Sequence, residues 1–318
     1  MERLRNKQVL VTGGAGFIGS HLVKLLIEKN YSVVVIDIQK PCRSYFFLEK
    51  LDKKVDYRIV DIRKQKEVES LFSTISPHYV IHLAAQPIVE NAYESPSETF
   101  ETNIMGTVNI LESCRKNSNI KRILVASSDK AYGKTKKAYT ENMPLQGDHP
   151  YDVSKSCEDL ITQAYHKSYG SPVVITRFGN VYGEGDIYFN RIIPGICSSL
   201  LMHKPLDIRS DGTYVRDYVY VKDVAAGYLM LMECEKHIEG EAYNFSSTNT
   251  YSVLDLLKAS ERILGEKIMY KVLNSSKNEI PYQHLDDSKI RKFGWKSRVP
   301  FSKALEATYS WYKQYFFK

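Results

Sequence analysis

Five residues in one stretch have side chains suited to moving protons. Ser128, Asp129 and Lys130 stand in a row after the apolar run Ile123-Leu124-Val125-Ala126, and Tyr151 and Lys155 follow. The last two are four residues apart, so they share a face if their segment is a helix. A hydroxyl, a carboxylate, a lysine and a phenol–lysine pair would then converge at one sheet edge. An ammonium beside a phenol favours the phenolate, which can take a proton from a substrate hydroxyl. Such a set does redox-coupled proton transfer only with a cofactor nearby.

The upstream sequence has the elements to hold one. Val9-Leu10-Val11 reads as a buried strand, followed by Thr12-Gly13-Gly14-Ala15-Gly16-Phe17-Ile18-Gly19 and an amphipathic helix from about Ser20 to Glu28. Gly13 suits a tight turn, Gly16 a close approach to a pyrophosphate, and Gly19 the packing of helix on strand. A second strand, from Ser32 to Ile36, ends in Asp37, placed to bond the ribose hydroxyls of NAD and to repel the extra phosphate of NADP. Asp61-Ile62 after the strand Tyr57 to Val60 is expected at the adenine edge. A further strand, Tyr79 to Leu83, runs into Ala84-Ala85-Gln86, where the small residues at the strand end would admit a cofactor. His82 reads as a packed strand histidine. One long helix is expected from Pro96 to Lys116, carrying Asn103. The alternation of strand and helix predicts an α/β fold with a doubly wound parallel (Rossmann) sheet, its ligands at the carboxyl edge.

The bulk composition fits a large core: 318 residues, 43% of them hydrophobic, with no repeat or low-complexity tract. The net charge of +7 is dispersed, which argues against a nucleic-acid partner. Five scattered cysteines without zinc spacing suggest reduced thiols and no metal site. The polar start and the lack of a long apolar run predict a soluble cytoplasmic protein without membrane contact.

Together TGGAGFIG, the Asp ending the second strand, LAAQ, SSDKAYG, YDVSK, RFGNVYGEGD and DGTYVRDYVYVKDVA resemble the extended short-chain dehydrogenase/reductases that act on nucleotide-activated sugars. The resemblance covers nearly the whole chain. It implies Tyr151 as catalytic tyrosine, Lys155 as the lysine on the nicotinamide ribose, and Ser128 on the substrate C4 hydroxyl. It implies NAD contacts from Gly13, Gly16, Phe17, Ile18, Gly19, Asp37, Asp61, Ile62, Leu83, Ala84, Ala85, Asn103, Tyr151 and Lys155. Gln86, Ser128, Asn180 and Arg216 are implied on the sugar nucleotide, with the Arg216 guanidinium suited to a diphosphate. Asp129 followed by Lys130, where many 4,6-dehydratases have Asp-Glu, is similar to CDP-glucose 4,6-dehydratases. In that chemistry Tyr151 deprotonates the C4 hydroxyl as hydride passes to NAD. Asp129 protonates the departing C6 oxygen as the C5 proton is lost, and hydride returns to C6. Lys130 is either the C5 base or the residue that positions Asp129. A 4-epimerase needs the same Ser128, Tyr151 and Lys155 but not Asp129, and a non-catalytic NAD-binding protein is the remaining alternative.

The expected division is a Rossmann domain of residues 1–178 plus about 217–246, and an interleaved nucleotide-sugar domain of about 179–216 plus 247–318. The family resemblance also implies a homodimer through the helices beginning near Pro96 and Tyr151.

Overall fold

The protein, as a computed structural model, is described over residues 7–39, 42–247, 249–275 and 280–317. In chain order the strands are β1 (Gln8–Thr12), β2 (Ser32–Asp37), β3 (Asp56–Ile59), β4 (Tyr79–His82), β5 (Arg122–Ser128), β6 (Val173–Phe178), β7 (Asn180–Tyr182), β8 (Leu206–Ile208), β9 (Val215–Tyr220), β10 (Ala242–Phe245), β11 (Thr250–Ser252) and β12 (Tyr270–Val272). Seven form one sheet in the order β10-β6-β5-β4-β1-β2-β3. β1 pairs in parallel with β2 and β4, β2 with β3, and β4 with β5. The strand sequences are runs of Val, Ile and Leu, as a sheet covered on both faces requires. Val9, Leu10, Val11, Val35, Ile36, Val80 and Val125 are buried there.

The register aligns the carboxyl ends. Thr12 lies opposite Ile36 and His82, and His82 lies opposite Val125. Gly13, Asp37, Ala84 and Ser127 therefore follow one another along a single edge. This is the doubly wound sheet expected, with ligand-binding turns at its carboxyl edge.

The segment from Pro96 onward differs from the single helix expected. Helical turns Pro96–Phe100 and Gly106–Arg115 are separated by a π-helical turn, Glu101–Met105. The wide turn carries Asn103, which is fully buried. Such turns occur mostly as local widenings of α-helices, often at functional sites. Gly106 follows it because Ile62 lies against the helix there; a Cβ on residue 106 would sit 2.6 Å from Ile62 Cδ1.

The helix Pro150–Tyr169 begins with Pro150 at its first turn and stops at Gly170, whose φ is +66°. Proline is preorganised for a helix start, and glycine accepts the left-handed conformation of a helix end.

The chain divides into two compact units: Met1–Gly133, Glu141–Arg177 and Ala225–Asn244 form one, and Lys134–Thr140, Phe178–Val224 and Phe245–Lys318 the other. Residues 217–224, expected in the first unit, fall in the second. The reason is pairing: β9 runs antiparallel to β11 and parallel to β7 in a three-stranded sheet of order β11-β9-β7. Lys134–Thr140 also joins the second unit, where Tyr139 bridges to Leu285. Asp217 is a buried hub in that unit. Its carboxylate accepts bonds from Ser246 Oγ (2.6 Å), Thr250 Oγ1 (2.7 Å) and the Leu285 backbone N–H (2.8 Å). β8 and β12 form a two-stranded sheet, and the longer helices include Ile192–Met202, Val253–Leu264 and Phe301–Phe317. Tyr312 on the last helix packs with Cys197 and Leu201.

Candidate active site

At the carboxyl end of β1, the chain turns at Gly13, whose φ is +67° and whose N–H bonds Ile36 O at 2.8 Å. A side chain here would meet the Ala84 backbone at 2.7 Å, and one on Gly19 would meet Gly13 O at 2.3 Å. Only glycine allows the loop, the strand end at Leu83-Ala84-Ala85 and the helix to approach this closely. The helix Phe17–Glu28 starts after Gly16, with Phe17 and Ile18 half-buried and no side-chain hydrogen bond capping that end. A helix start without a side-chain cap presents backbone N–H groups to an anion such as a pyrophosphate.

Asp37 closes the loop from β2. Its Oδ2 accepts from Ala15 N at 3.1 Å and its Oδ1 from Ile38 N at 2.9 Å. Burial pushes its carboxyl up, while those two N–H groups pull it back. Asp61 is engaged elsewhere: Arg63 Nη2 donates to it at 2.8 Å, and this pairing holds it below the usual carboxylate range against partial burial. Ile62 is buried in the core beneath Gly106. The cradle fits a dinucleotide through its glycines, its uncapped helix start and its terminal acid.

Ser128 ends β5 and Asp129 begins a short helical turn, Asp129–Tyr132. Ser128 Oγ donates to Asp129 Oδ1 at 3.0 Å and accepts from Lys130 N at 3.2 Å. Both Ser128 and Asp129 are buried, whereas Lys130 is half-buried. Tyr151 and Lys155 lie on the buried face of the helix Pro150–Tyr169. Lys155 Nζ donates to Ala126 O at 2.8 Å and to Glu158 Oε2 at 2.7 Å. Asp129, Glu158 and Asp152 all act electrostatically on the Tyr151 phenol. The structure thus gathers β5 and this helix around one phenol.

Burial raises the Tyr151 phenol above its ordinary value, and Lys155 opposes the rise without reversing it. The carboxylates around it push the same way as burial. Lys155 is itself raised: burial disfavours its charge, and Glu158, Tyr151 and Asp159 together more than offset that.

Asn103 stitches this site together. Its Oδ1 accepts from Gln86 N at 2.7 Å, and its Nδ2 donates to Gln86 O at 3.1 Å and Ser154 Oγ at 2.9 Å. The Gln86 side chain is turned into its own loop, donating to Ile88 O and Thr99 Oγ1 and accepting from Ile88 N. Two of the expected substrate residues lie in the second unit. Asn180 is exposed at the start of β7, and Arg216 on β9 is buried with Nη1 donating to Val215 O at 2.8 Å.

Sequence reasoning passed over two carboxylates here. Asp152 is buried with its carboxyl pushed up to about 6 by burial, against Lys130 and His149, which pull it down. Glu158 is almost fully buried, and burial takes it up to about 7 against Lys155. Their positions relative to the YxxxK motif were the available signal: Asp152 lies inside it, one after Tyr151, and Glu158 three after Lys155. Among the described residues no cluster of His, Cys, Asp and Glu could hold a metal, and no helix is long and apolar enough to cross a membrane.

A model described as the NAD dependent epimerase/dehydratase family matches residues 9–246. The chain belongs to this family. NAD is the family's cofactor, and the cradle on this chain fits it. A dTDP-D-glucose 4,6-dehydratase from Bos taurus is 32% identical over 323 residues, covering 98% of this chain and 90% of that protein. A trifunctional UDP-glucose 4,6-dehydratase/UDP-4-keto-6-deoxy-D-glucose 3,5-epimerase/UDP-4-keto-L-rhamnose-reductase from Arabidopsis thaliana is 32% identical over 97% of this chain, but this chain spans only 47% of its length. Among solved structures, UDP-glucuronic acid 4-epimerase from Bacillus cereus, in complex with UDP-glucuronic acid and NAD, is similar with a TM-score of 0.89 and 30% identity over 96% of this chain and 99% of that one. The family relatives therefore include both nucleotide-sugar 4,6-dehydratases and 4-epimerases.

Proposed function

We propose that this protein is a nucleotide-sugar 4,6-dehydratase that converts an NDP-hexose, with CDP-glucose favoured, to the NDP-4-keto-6-deoxyhexose and water. One observation carries the reading: a buried Asp129 directly after Ser128, hydrogen-bonded by it at 3.0 Å and within electrostatic reach of Tyr151. A 4-epimerase has no use for an acid at that place.

NAD, when bound, supplies a reversible two-electron oxidation at the sugar. Ser128 orients the C4 hydroxyl and Tyr151 takes its proton, with the Lys155 ammonium favouring the phenolate. A ketone at C4 acidifies the C5 hydrogen. Asp129 gives a proton to the C6 oxygen, which leaves as water while a base on the chain takes the C5 proton; that base returns it to C5 once C6 is reduced, and the proton Asp129 has lost is matched by the one Tyr151 has gained. Lys130, whose charge acts on Asp152, is assigned either as that C5 base or as the residue that positions Asp129. Arg216 in the second unit is assigned to the substrate diphosphate and Asn180 to its phosphates or sugar, with Gln86 as a contact through the loop it closes. Asp61 and Ile62 are assigned to the adenine side and Asn103 to holding the cofactor edge in place. A homodimer is part of the same reading.

The epimerase reading has support of its own in the likeness to the UDP-glucuronic acid 4-epimerase. Incubation of the protein with CDP-, dTDP-, GDP- and UDP-hexoses, scored by mass, separates the two. Loss of one water from a nucleotide sugar is expected; an isomer of unchanged mass sinks the dehydratase reading. In the same assay Asp129→Asn is expected to lower dehydration about 10²- to 10³-fold while C4 oxidation persists, seen as the absorbance of reduced NAD.

A further inference from the structure

Behind Lys155 a continuous buried chain of polar groups leads back to the nucleotide loop. Thr12 Oγ1 accepts from Ala84 N at 3.2 Å and shares the Leu83 N–H, also 3.2 Å away, with the Thr12 carbonyl at 3.1 Å. Its own hydrogen is left for His82 Nδ1, at 2.6 Å. His82 Nε2 therefore carries a hydrogen, and Thr107 Oγ1 at 2.9 Å accepts it. Thr107 has one hydrogen and two acceptors for it, Asn103 O at 2.7 Å and the Glu158 carboxylate. Glu158 in turn accepts from Lys155 Nζ at 2.7 Å. Thr12, His82, Thr107, Lys155 and Glu158 are all buried.

This arrangement is satisfied in two states. With Glu158 ionised, Thr107 gives its hydrogen to the carboxylate. With Glu158 protonated, the acid donates to Thr107 and the threonine hydrogen turns to Asn103 O. A buried carboxyl that keeps its hydrogen bonds in either form avoids the usual penalty for an unpaired buried group. Burial brings it to about 7, within its working range. The groups that act on it or feel its charge are Lys155, Tyr151 and Asp159 on its own helix and Tyr228 on the helix Val221–Glu233, with His82 on β4 one step away through Thr107. His82 is neutral there, since burial and Lys155 hold it down to about 3, so Lys155 is the cation of this set.

Resting on the reading of Tyr151 as the base, we propose that Glu158 is a positioning residue of the Tyr151–Lys155 pair. It holds Lys155 Nζ against the Ala126 carbonyl, and its charge opposes ionisation of the phenol. Neutralising that charge removes a negative charge near the phenol, which favours its ionisation, and at the same time withdraws the partner that keeps the buried Lys155 charged, which limits the gain.

The test compares the full chain with Glu158→Gln, Glu158→Asp and Tyr151→Phe, using pH profiles of turnover on the nucleotide sugar found by the mass assay. Tyr151→Phe is expected to lose turnover at least 10³-fold. Glu158→Gln is expected to move the acid limb of kcat/KM down by about one pH unit, and to lower plateau kcat about tenfold with KM nearly unchanged. Glu158→Asp is expected to return the limb most of the way. Carbon NMR of glutamate-labelled protein adds a readout independent of turnover: one carboxyl titrating near neutral pH, absent in Glu158→Gln. If Tyr151→Phe stays active, the base reading fails and the positioning role with it. If Tyr151→Phe is inactive while the Glu158→Gln limb superimposes on the parental one, the positioning role alone is overturned. A fall in melting temperature with an unmoved limb also overturns it, since that is what a merely structural ion pair gives.

Discussion

His82 shows how one buried ring shapes the protein's response to acid. Its folded value of about 3 lies below the ordinary 6.5, so the unfolded chain takes up a proton that the folded one refuses. Its contribution is full above pH 6.5 and is lost as pH falls, by about 1.4 kcal/mol per unit until about pH 3. Glu158 works in the opposite sense. Its folded value of about 7 exceeds the ordinary 4.5, so its contribution grows as pH falls from about 7 to 4.5. Asp152, at about 6 against 3.8, does the same over its own window. The sum is a shallow profile, and a difference experiment is needed to separate the ring. His82→Gln is expected to lower stability by about 1–3 kcal/mol at pH 7.5, through lost bonds to Thr12 and Thr107. The gap to the parental protein should then close below pH 6.5, as urea unfolding midpoints measured across pH would show. Parallel curves would contradict the assignment. At this scale the sequence was legible where spacing encodes function: Tyr151 and Lys155 share a face because four residues is one helical turn. Glu158 was not, because a Lys-Glu pair three apart on a helix usually marks a solvated surface, and burial of the pair depends on strands distant in sequence.

At the scale of elements, the glycine loop was readable because each glycine answers a local steric demand. A strand, three glycines and an amphipathic helix occur in the order the turn requires, and the structure returns the close contacts. Gly19→Val is expected to push the Gly13 carbonyl away from the helix start and weaken NAD binding at least tenfold, by calorimetric titration, with far-UV circular dichroism retained. Unchanged NAD affinity would mean that the loop adjusts without disturbing the cradle. The π turn at Glu101–Met105 was not readable. The apolar spacing of Phe100, Ile104, Val108 and Leu111 continues through it, and one added residue in a turn leaves the pattern nearly intact. Its consequence is positional: it buries Asn103, whose amide joins the loop after β4 to Ser154 on the helix that carries Tyr151.

For the whole molecule, the sequence indicated an interleaved second unit but misplaced residues 217–224. An apolar strand such as Val215–Tyr220 announces that it pairs without announcing with which strand, and its partners β7 and β11 lie on either side of it in the chain. Association between copies is a second property that lies beyond local pattern. The helix Pro150–Tyr169 buries Tyr151, Lys155, Glu158 and Thr162, yet Leu160 on it is 52% exposed. Met105, 50% exposed, lies on the π turn that packs beside that helix. Scattered exposed apolar residues are ordinary on monomers, but two on adjacent helical elements that the family resemblance places at a dimer contact have a physical reason to be covered. The parental chain is expected to sediment at twice its 36.6 kDa mass. Leu160→Glu would bury an unpaired carboxylate on both sides of a two-fold contact, since one residue meets the symmetric interface twice. It is expected to shift the protein toward monomer at micromolar concentration while NAD binding remains, because Leu160 lies on the exposed side of the helix, away from the buried face that carries Tyr151 and Lys155. A parental chain that sediments as monomer would remove the dimer, and a Leu160→Glu variant that stays dimeric would move the contact to another face.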